Sequence, residues 1–501
     1  MARTIQLKGL RKMLKKIVVT FLFLIFLFLS ILVFNALTMP LGITTYPESR
    51  DDIVDRINKI DTHTVASRIA ESIEFPTVSY DDGPVDPGAF IALHEWLNNT
   101  YPSAHLVLER ELINDLSLVY KWKGTSDCNP IGFVTHLDVV PVESGTEDEW
   151  TYPPFKGVVS DGFVWGRGAY DTKNTIIYFL EAVENLANRG FTPRCDVYLL
   201  AGHDEEAGGQ NGAKETASLL RSRNIHFSWL IDEGGSFSAN LDGSTAPMVA
   251  NIGVGQRGFA NIKLTVRAKG GSTARGTEET AITKLSRAIL TIRENPMPGR
   301  LDGVPEEDLI ARARGGLFYH KLIAANTWLL RPVAETILES KGQVNYLRST
   351  AAATIISGGD KFNLLPQQAS AIIGVRLHPR DTSEDVMKWL KDIVQAEDIK
   401  FELISFSDPP LPVDPNNNKD FNFVSNSIAA VYGSIRIVPS FLTSATDGRY
   451  YRDLTDSLFN FDADMFLPDN KNSGGHGTDE RITTSHLAEA VVLYEVLIET
   501  H

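Results

Sequence analysis

The longest apolar stretch of the chain is IVVTFLFLIFLFLSILVFNAL, Ile17 to Leu37, without a single charge. As a helix it is long enough to cross the hydrocarbon core of a bilayer. After it, TMPLGITTYPESRDD reads as a linker, and helical spacing follows around Ile53 to Ile73. Short continuous apolar runs then appear at PIGFVT from Pro130, VYLLA from Val197, WLI from Trp229 and IRIVP from Ile435. Between the first two lies TIIYFLEAVENLANRG, whose Ile176, Phe179, Leu180, Val183 and Leu186 recur with helical period, with Gly190 as the stop. Apolar strands alternating with amphipathic helices predict an α/β domain with a largely parallel sheet and helices on both faces.

The pattern changes near Gln256. FANIKLTVRA alternates like a half-exposed strand, the helix AITKLSRAILTIR follows, and a helical stretch spans about 305–340. The strands STAAATIIS and ASAIIGVRLHP, the helix SEDVMKWLKDIV and the strand IKFELIS complete an α+β unit, which DPPLPVDPNNN closes. The α/β texture then returns, so the second unit is expected as an insertion. The chain divides into a stub and apolar segment (1–40), a first α/β part (41–256), an inserted α+β unit (257–407) and a second α/β part (408–501).

Charge adds a direction. The net charge is −15, yet the first sixteen residues carry six bases and no acid. The rest, with 42 basic against 63 acidic residues, carries −21, which argues against a nucleic-acid partner. The apolar run is longer than a signal-peptide core, and Phe34 stands where a cleavage site before Ala36 needs a small residue. A retained single-pass anchor is expected, with the basic stub cytoplasmic and the body extracytoplasmic, whether lumenal, periplasmic or extracellular. The two cysteines, Cys128 and Cys195, each precede a strand. They pair if those strands are neighbours and otherwise are core thiols.

The strands end in acids and histidines. IGFVT runs into His136-Leu137-Asp138, VYLLAG into His203-Asp204-Glu205-Glu206, and WLI into Asp232-Glu233. WGRGAYDTKN puts Asp171 just before a helix, and NSGGHGTDER holds His476 among glycines. In open α/β sheets, sites form at the carboxyl edge of the strands. Oxygen and imidazole ligands without a cysteine pair suit zinc or another divalent ion in a catalytic site. Two such ions would supply the positive charge that keeps adjacent carboxylates ionised.

HLDVVPV, GRGAYDTK, DEEAGG, IDEGG and GGHGTDE, in this order, resemble the motifs of the dizinc aminoacylase/carboxypeptidase superfamily of metallopeptidases, most of all carboxypeptidase S and the secreted N-acyl amino acid hydrolases. The resemblance implies two zinc ions per chain, held by His136 and Asp232 on one side and by Glu206 and His476 on the other, with Asp171 bridging. It implies Glu205 as general base, Asp138 as the residue orienting His136, and a cis peptide at Asp171–Thr172. His203, Asp204 and Glu233 have supporting places. The inserted unit is implied to be a lid that often dimerises. Asn363 in KFNLLP would help bind substrate, and Arg376 in GVRLHP would clamp a free carboxylate. The loop TSATDGRYY, with Asp447 and Arg449, resembles a site-lining segment. The implied activity is hydrolysis of amide bonds beside a free α-carboxylate, in peptides or N-acyl amino acids. The alternatives are a deacetylase or dipeptidase of the same superfamily, or a metal-binding ectodomain impaired in catalysis.

That last alternative rests on one departure. The lid histidine of the superfamily, which helps stabilise the oxyanion, is replaced here by Ser272 in AKGGSTARGTEETAI. A neutral, shorter side chain stabilises developing negative charge less well, and loss of one such donor costs about 10²–10³ in rate. Ser272→His is therefore expected to raise kcat on an N-acyl amino acid by about tenfold or more. Unchanged turnover with metal content intact would show that another group already does this work.

Overall fold

The computed structural model describes residues 2–80, 83, 85–238, 248–275, 279–464 and 474–501. Its centre is a mixed sheet in which Ile131–His136 lies parallel to both Val197–Gly202 and Trp229–Asp232, and Trp229–Asp232 lies parallel to Leu458–Asn460. On one flank Val249–Gln256 lies parallel to Ile435–Leu442 and meets Leu458–Asn460 antiparallel. On the other, the hairpin Leu108–Ile113 and Ser117–Trp122 pairs antiparallel with Val197–Gly202, so the sheet expected as largely parallel is mixed. The reason is local. Asn114 and Asp115 take φ of 47° and 66°, the left-handed region that suits a tight turn, and strands joined by so short a turn pair antiparallel.

Period-two alternation along the central strands feeds two separate cores. Phe133, Leu199 and Ile231 join one apolar cluster with the helices Thr62–Ile73, Lys173–Asn188, Lys419–Tyr432 and Leu487–Glu499. Val134, Leu200 and Leu230 face the other way, against Ala217 and Leu220 of the helix Ala213–Ser222. The helical spacing over Ile53 to Ile73 resolves into two helices, Asp51–Ile57 and Thr62–Ile73, because Asp61 caps the second by accepting from the His63 backbone N–H.

A second sheet, wholly antiparallel, runs in the order Thr350–Gly358, Gln368–Leu377, Gly258–Arg267, Ile399–Ser407. The helices Ala281–Glu294 and Ser383–Val394 cover one of its faces. Arg257 sits at the junction between the sheets. Its buried guanidinium donates to the backbone oxygens of Arg376 (2.6 Å) and Arg348 (3.3 Å) and to the Thr350 hydroxyl (3.2 Å).

Ala2–Leu37 is one helix, and its Lys12–Leu37 part is long and apolar enough to cross a membrane by length and composition. Cys128 and Cys195 form a disulfide, as their places before two neighbouring parallel strands allow. It ties positions 67 residues apart, and in the chain-entropy account closing a loop of that size stabilises the fold by about 4 kcal/mol. Replacing both cysteines by alanine is expected to lower the denaturant midpoint accordingly. An unchanged midpoint would remove the bridge from the stability of the sheet.

Candidate metal centre

Three strands that stop at the same edge bring the chemistry together. In register, His136 lies opposite Gly202 and Phe133 opposite Ile231, so the residues after each strand share one rim. Asp171 joins them from the turn that opens the helix Lys173–Asn188, and its peptide bond to Thr172 is cis.

His136 is fully buried and its orientation is set locally. Its Nδ1 is 2.9 Å from the Asp138 carbonyl oxygen, which only accepts, so that nitrogen carries the proton and Nε2 is left for the site. Nε2 lies 3.1 Å from Asp171 Oδ1 and 3.4 Å from Glu233 Oε2. On the other side, His476 Nε2 lies 3.3 Å from Asp171 Oδ2 and 2.9 Å from Glu206 Oε2. Asp171 therefore presents one oxygen to each imidazole, the arrangement of a bridging carboxylate. His476 has φ of 66°, a costly backbone for a non-glycine residue. Its neighbour Gly475 must be glycine, since a Cβ there would stand 2.5 Å from Asp171 Oδ2.

Other carboxylates hold the loops. Asp138 accepts the backbone N–H groups of Glu205 and Glu206, each at 3.1 Å, and the Ser79 hydroxyl. It thus fixes the DEE block against the histidine strand. Glu480, also fully buried, accepts from the N–H groups of Gly168 (2.9 Å), Tyr170 (3.0 Å) and Asp171 (3.1 Å), and pairs with Arg167 at 2.6 Å. It locks the Asp171 turn to the segment carrying His476. The pairing of Arg167 in GRGAYDTK with Glu480 in GGHGTDE is not legible in the sequence, because each motif carries more than one charge.

The placement of Asp232 is a correction. Its carboxylate accepts the backbone N–H of Glu233 (2.9 Å) and of Gly448 (2.7 Å) and the Thr446 hydroxyl, so it works as a backbone clamp. The acid facing His136 at this strand end is Glu233. The two are adjacent, and sequence does not tell which of two neighbouring acids turns inward. Glu233 follows the last paired residue and is one methylene longer, so its carboxylate reaches past the strand end.

The electrostatics are those of crowded negative charge. Burial pushes Glu205 up to about 8, with His136 and Arg449 opposing it. Burial likewise raises Glu233 well above the usual range and lifts Glu480 to about 7. Asp171 is held below the usual range: burial works against its charge, but hydrogen bonds from His136 and His476 prevail. Hydrogen bonds to Asp171 and Glu206 lift His476 to about 10. Glu206 Oε1 is buried without a hydrogen-bond partner. The ligand atoms of His136, Asp171 and Glu206 lie within 4.8 Å of one another, as do those of His136, Glu205 and Glu233. Two overlapping sets of imidazole and carboxylate, with an unpaired oxygen among them, fit divalent cations.

Around this set is a cleft of about 260 Å³ lined by Tyr170, Thr446, Leu442 and Asp462 among others. The TSATDGRYY loop reaches it: Arg449 is 3.8 Å from Glu205 Oε1 and donates to the Gly208 carbonyl at 2.9 Å, while Asp447 is buried beside it. His203 faces away, with its Nδ1 2.6 Å from the Ser117 hydroxyl, and Asp204 caps the backbone of Asn211 and Gly212. Asn363 and Arg376 do not line the cleft. Arg376 is exposed on the second sheet beside Asn261 and Thr350. Asn363 is exposed next to Ser272, which pairs with Leu364 and whose hydroxyl accepts from the Ala274 N–H at 3.3 Å.

Comparison with known proteins agrees with this geometry. Residues 132–500 match the model of peptidase family M20/M25/M40. The chain is 32% identical over 457 residues to the probable carboxypeptidase S-like 2 of Dictyostelium discoideum, covering 89% of this chain and 87% of that one. It is 31% identical over 423 residues to the N-fatty-acyl-amino acid synthase/hydrolase PM20D1 of Bos taurus, covering 82% of each. The fold is that of the M20 family metallo-carboxypeptidase Sso-CP2 from Sulfolobus solfataricus, with a TM-score of 0.62 at 18% identity over 87% of this chain and 98% of that one. With nearly three-quarters of its length inside the family match and a relative 32% identical over 89% of the chain, the chain belongs to peptidase family M20/M25/M40.

Proposed function

We propose that this chain is a dizinc hydrolase of amide bonds next to a free α-carboxylate, acting on the C-terminal residue of peptides or on N-acyl amino acids. The observation that carries the reading is Asp171 set between His136 and His476, with Glu205 beside them. His136 and Glu233 would hold one ion, Glu206 and His476 the other, and Asp171 both. When bound, the ions supply the positive charge that polarises the scissile carbonyl and acidifies the attacking water. Glu205, buried and next to Arg449, takes the proton from that water and returns it to the leaving amine nitrogen. Asp138 keeps His136 and the Glu205 backbone in register for both transfers.

The lid assignments belong to the same proposal. The second sheet would act as the lid and as a dimerisation surface, and its closure would bring Arg376 and Asn363, which lie outside the cleft in this structure, to the substrate, with Arg376 clamping the carboxylate through its two parallel donors. The relatives' names support peptides and N-acyl amino acids as the substrate classes. The apolar helix would anchor the chain with its body outside the cytoplasm, a placement that the Cys128–Cys195 disulfide supports.

Glu205→Gln is expected to keep about two metal ions per chain and to lose hydrolysis by about 10²–10⁴, because the base goes while the ligands stay. Near-normal turnover would take Glu205 out of its role. Glu233→Gln is expected to lower metal content measured by plasma mass spectrometry. Asp232→Asn is expected to keep metal and lower thermal stability through the Thr446–Gly448 loop, and the opposite pattern would restore Asp232 as the ligand.

Metal binding should also release protons. His476 carries its proton up to about pH 10 in the metal-free protein, whereas a ligating imidazole must be neutral. At pH 7, zinc titration is therefore expected to release at least one proton per chain. The affinity is expected to fall as pH drops, by about tenfold per unit for each proton displaced. Calorimetry in two buffers of different ionisation enthalpy measures this, and no buffer dependence would contradict it.

A further inference from the structure

The helices Phe318–Ala324 and Thr327–Ser340 carry an apolar surface that the site does not use. Leu317, Phe318, Tyr319, Trp328, Leu329 and Val333 are all exposed, Trp328 to 63%. Soluble surfaces expose such residues singly, and a contiguous set marks a contact with another apolar phase.

What covers this surface follows from where it meets the N-terminal helix. Leu32 and Ala36 are buried against the body, while nearly all the other described side chains of that helix are exposed. The Phe28 and Trp328 rings meet edge to face with centroids 6.1 Å apart. Asn326, fully buried at the start of Thr327–Ser340, accepts from Asn35 Nδ2 at 2.9 Å and donates to the carbonyls of Leu32 (3.0 Å) and Leu322 (2.8 Å). Phe28, Leu32, Asn35 and Ala36 form one helical stripe, and the asparagine pair fixes its register against the body.

That register sets a depth. Phe28 lies nine residues before Leu37, about 13 Å along the axis, near the middle of the uncharged Ile17–Leu37 run. If the run crosses the bilayer, Trp328 stands as deep as Phe28. Of the polar side chains of the two helices, His320 and Lys321 are half-buried, and the exposed Thr336, Glu339 and Ser340 all lie beyond Val333 in sequence. Arg331 is paired with Glu306 at 2.9 Å and Glu335 accepts the Leu301 N–H at 2.9 Å, both turned toward the body.

We propose that Leu317–Val333 is a second membrane-contact element, inserted among the lipid acyl chains beside the anchor, so that the body is held against the bilayer rather than tethered above it. The proposal rests on the reading of Ile17–Leu37 as a retained membrane-spanning segment. Asn326 is the positioning residue that couples the two elements.

The test uses the full chain reconstituted in vesicles of dioleoyl phosphatidylcholine, or of the same lipid brominated at mid-chain. Trp328 emission is taken as the difference between wild type and Trp328→Phe. Val333→Trp in the Trp328→Phe background gives a second reporter on the same face. The expected result is that protein resistant to carbonate extraction, with residues 1–37 present by mass, loses most of both reporters' emission in brominated lipid and little to aqueous iodide. Carbonate-resistant protein whose reporters are quenched by iodide and not by bromine would overturn the docking and leave the anchor standing. Protein extracted by carbonate, or lacking residues 1–37, would overturn the anchor and the docking with it.

Discussion

Too many carboxylates meet at one buried sheet edge, and most of the architecture around them answers that crowding. Asp171, Glu205, Glu206, Glu233, Asp447 and Asp462 converge on a volume in which His136, His476 and Arg449 are the near cations. Burial without compensation would protonate these acids or push the loops apart. The chain compensates in two ways. Asp138, Asp232 and Glu480 spend their charge on backbone N–H groups and so hold the loops in place. Asp171, Glu205, Glu206 and Glu233 keep oxygens turned toward the histidines, where divalent cations can neutralise them.

This division of labour separates binding from support among residues of the same type. Adjacent acids face opposite tasks: Asp232 clamps the Thr446–Gly448 loop while Glu233 reaches His136. Glu205 and Glu206 share one anchoring partner, Asp138, yet one side chain reaches Arg449 and the other His476. Successive side chains leave a backbone in different directions, so neighbours in sequence are natural candidates for different roles. The Arg167–Glu480 pair then sets the distance between the Asp171 turn and the His476 segment, continuing the antiparallel pairing of Phe163–Trp165 with Arg481–Thr483.

The two sheets meet through Arg257, whose guanidinium is bound by backbone oxygens from strands and loops of the second sheet. Buried charge held by neutral acceptors is costly, and burial lowers the Arg257 pKa to about 10, with Arg376 acting in the same direction. Such a junction fixes the path between sheets more than it adds stability. The N-terminal helix follows the same logic with neutral groups, through Asn35 and Asn326.

Periodicity and residue chemistry were enough to reveal the central strands, the helix over Lys173–Asn188, the change of texture near Gln256 and the gathering of acids and histidines at the strand ends, while the choice of His136, Asp171, Glu205, Glu206 and His476 among them is what the resemblance to the dizinc superfamily implies. These are local or additive properties: an apolar run forms a strand whatever it pairs with, and strand ends in a covered sheet lie along one rim. Strand direction at the flanks, the break at Asp61, the closure of Cys128 on Cys195, the choice of Glu233 over Asp232 and the Arg167–Glu480 lock were decided only in three dimensions. Each depends on which backbone N–H or side chain arrives from a distant part of the chain, and a linear pattern of polar and apolar residues carries no record of that arrival.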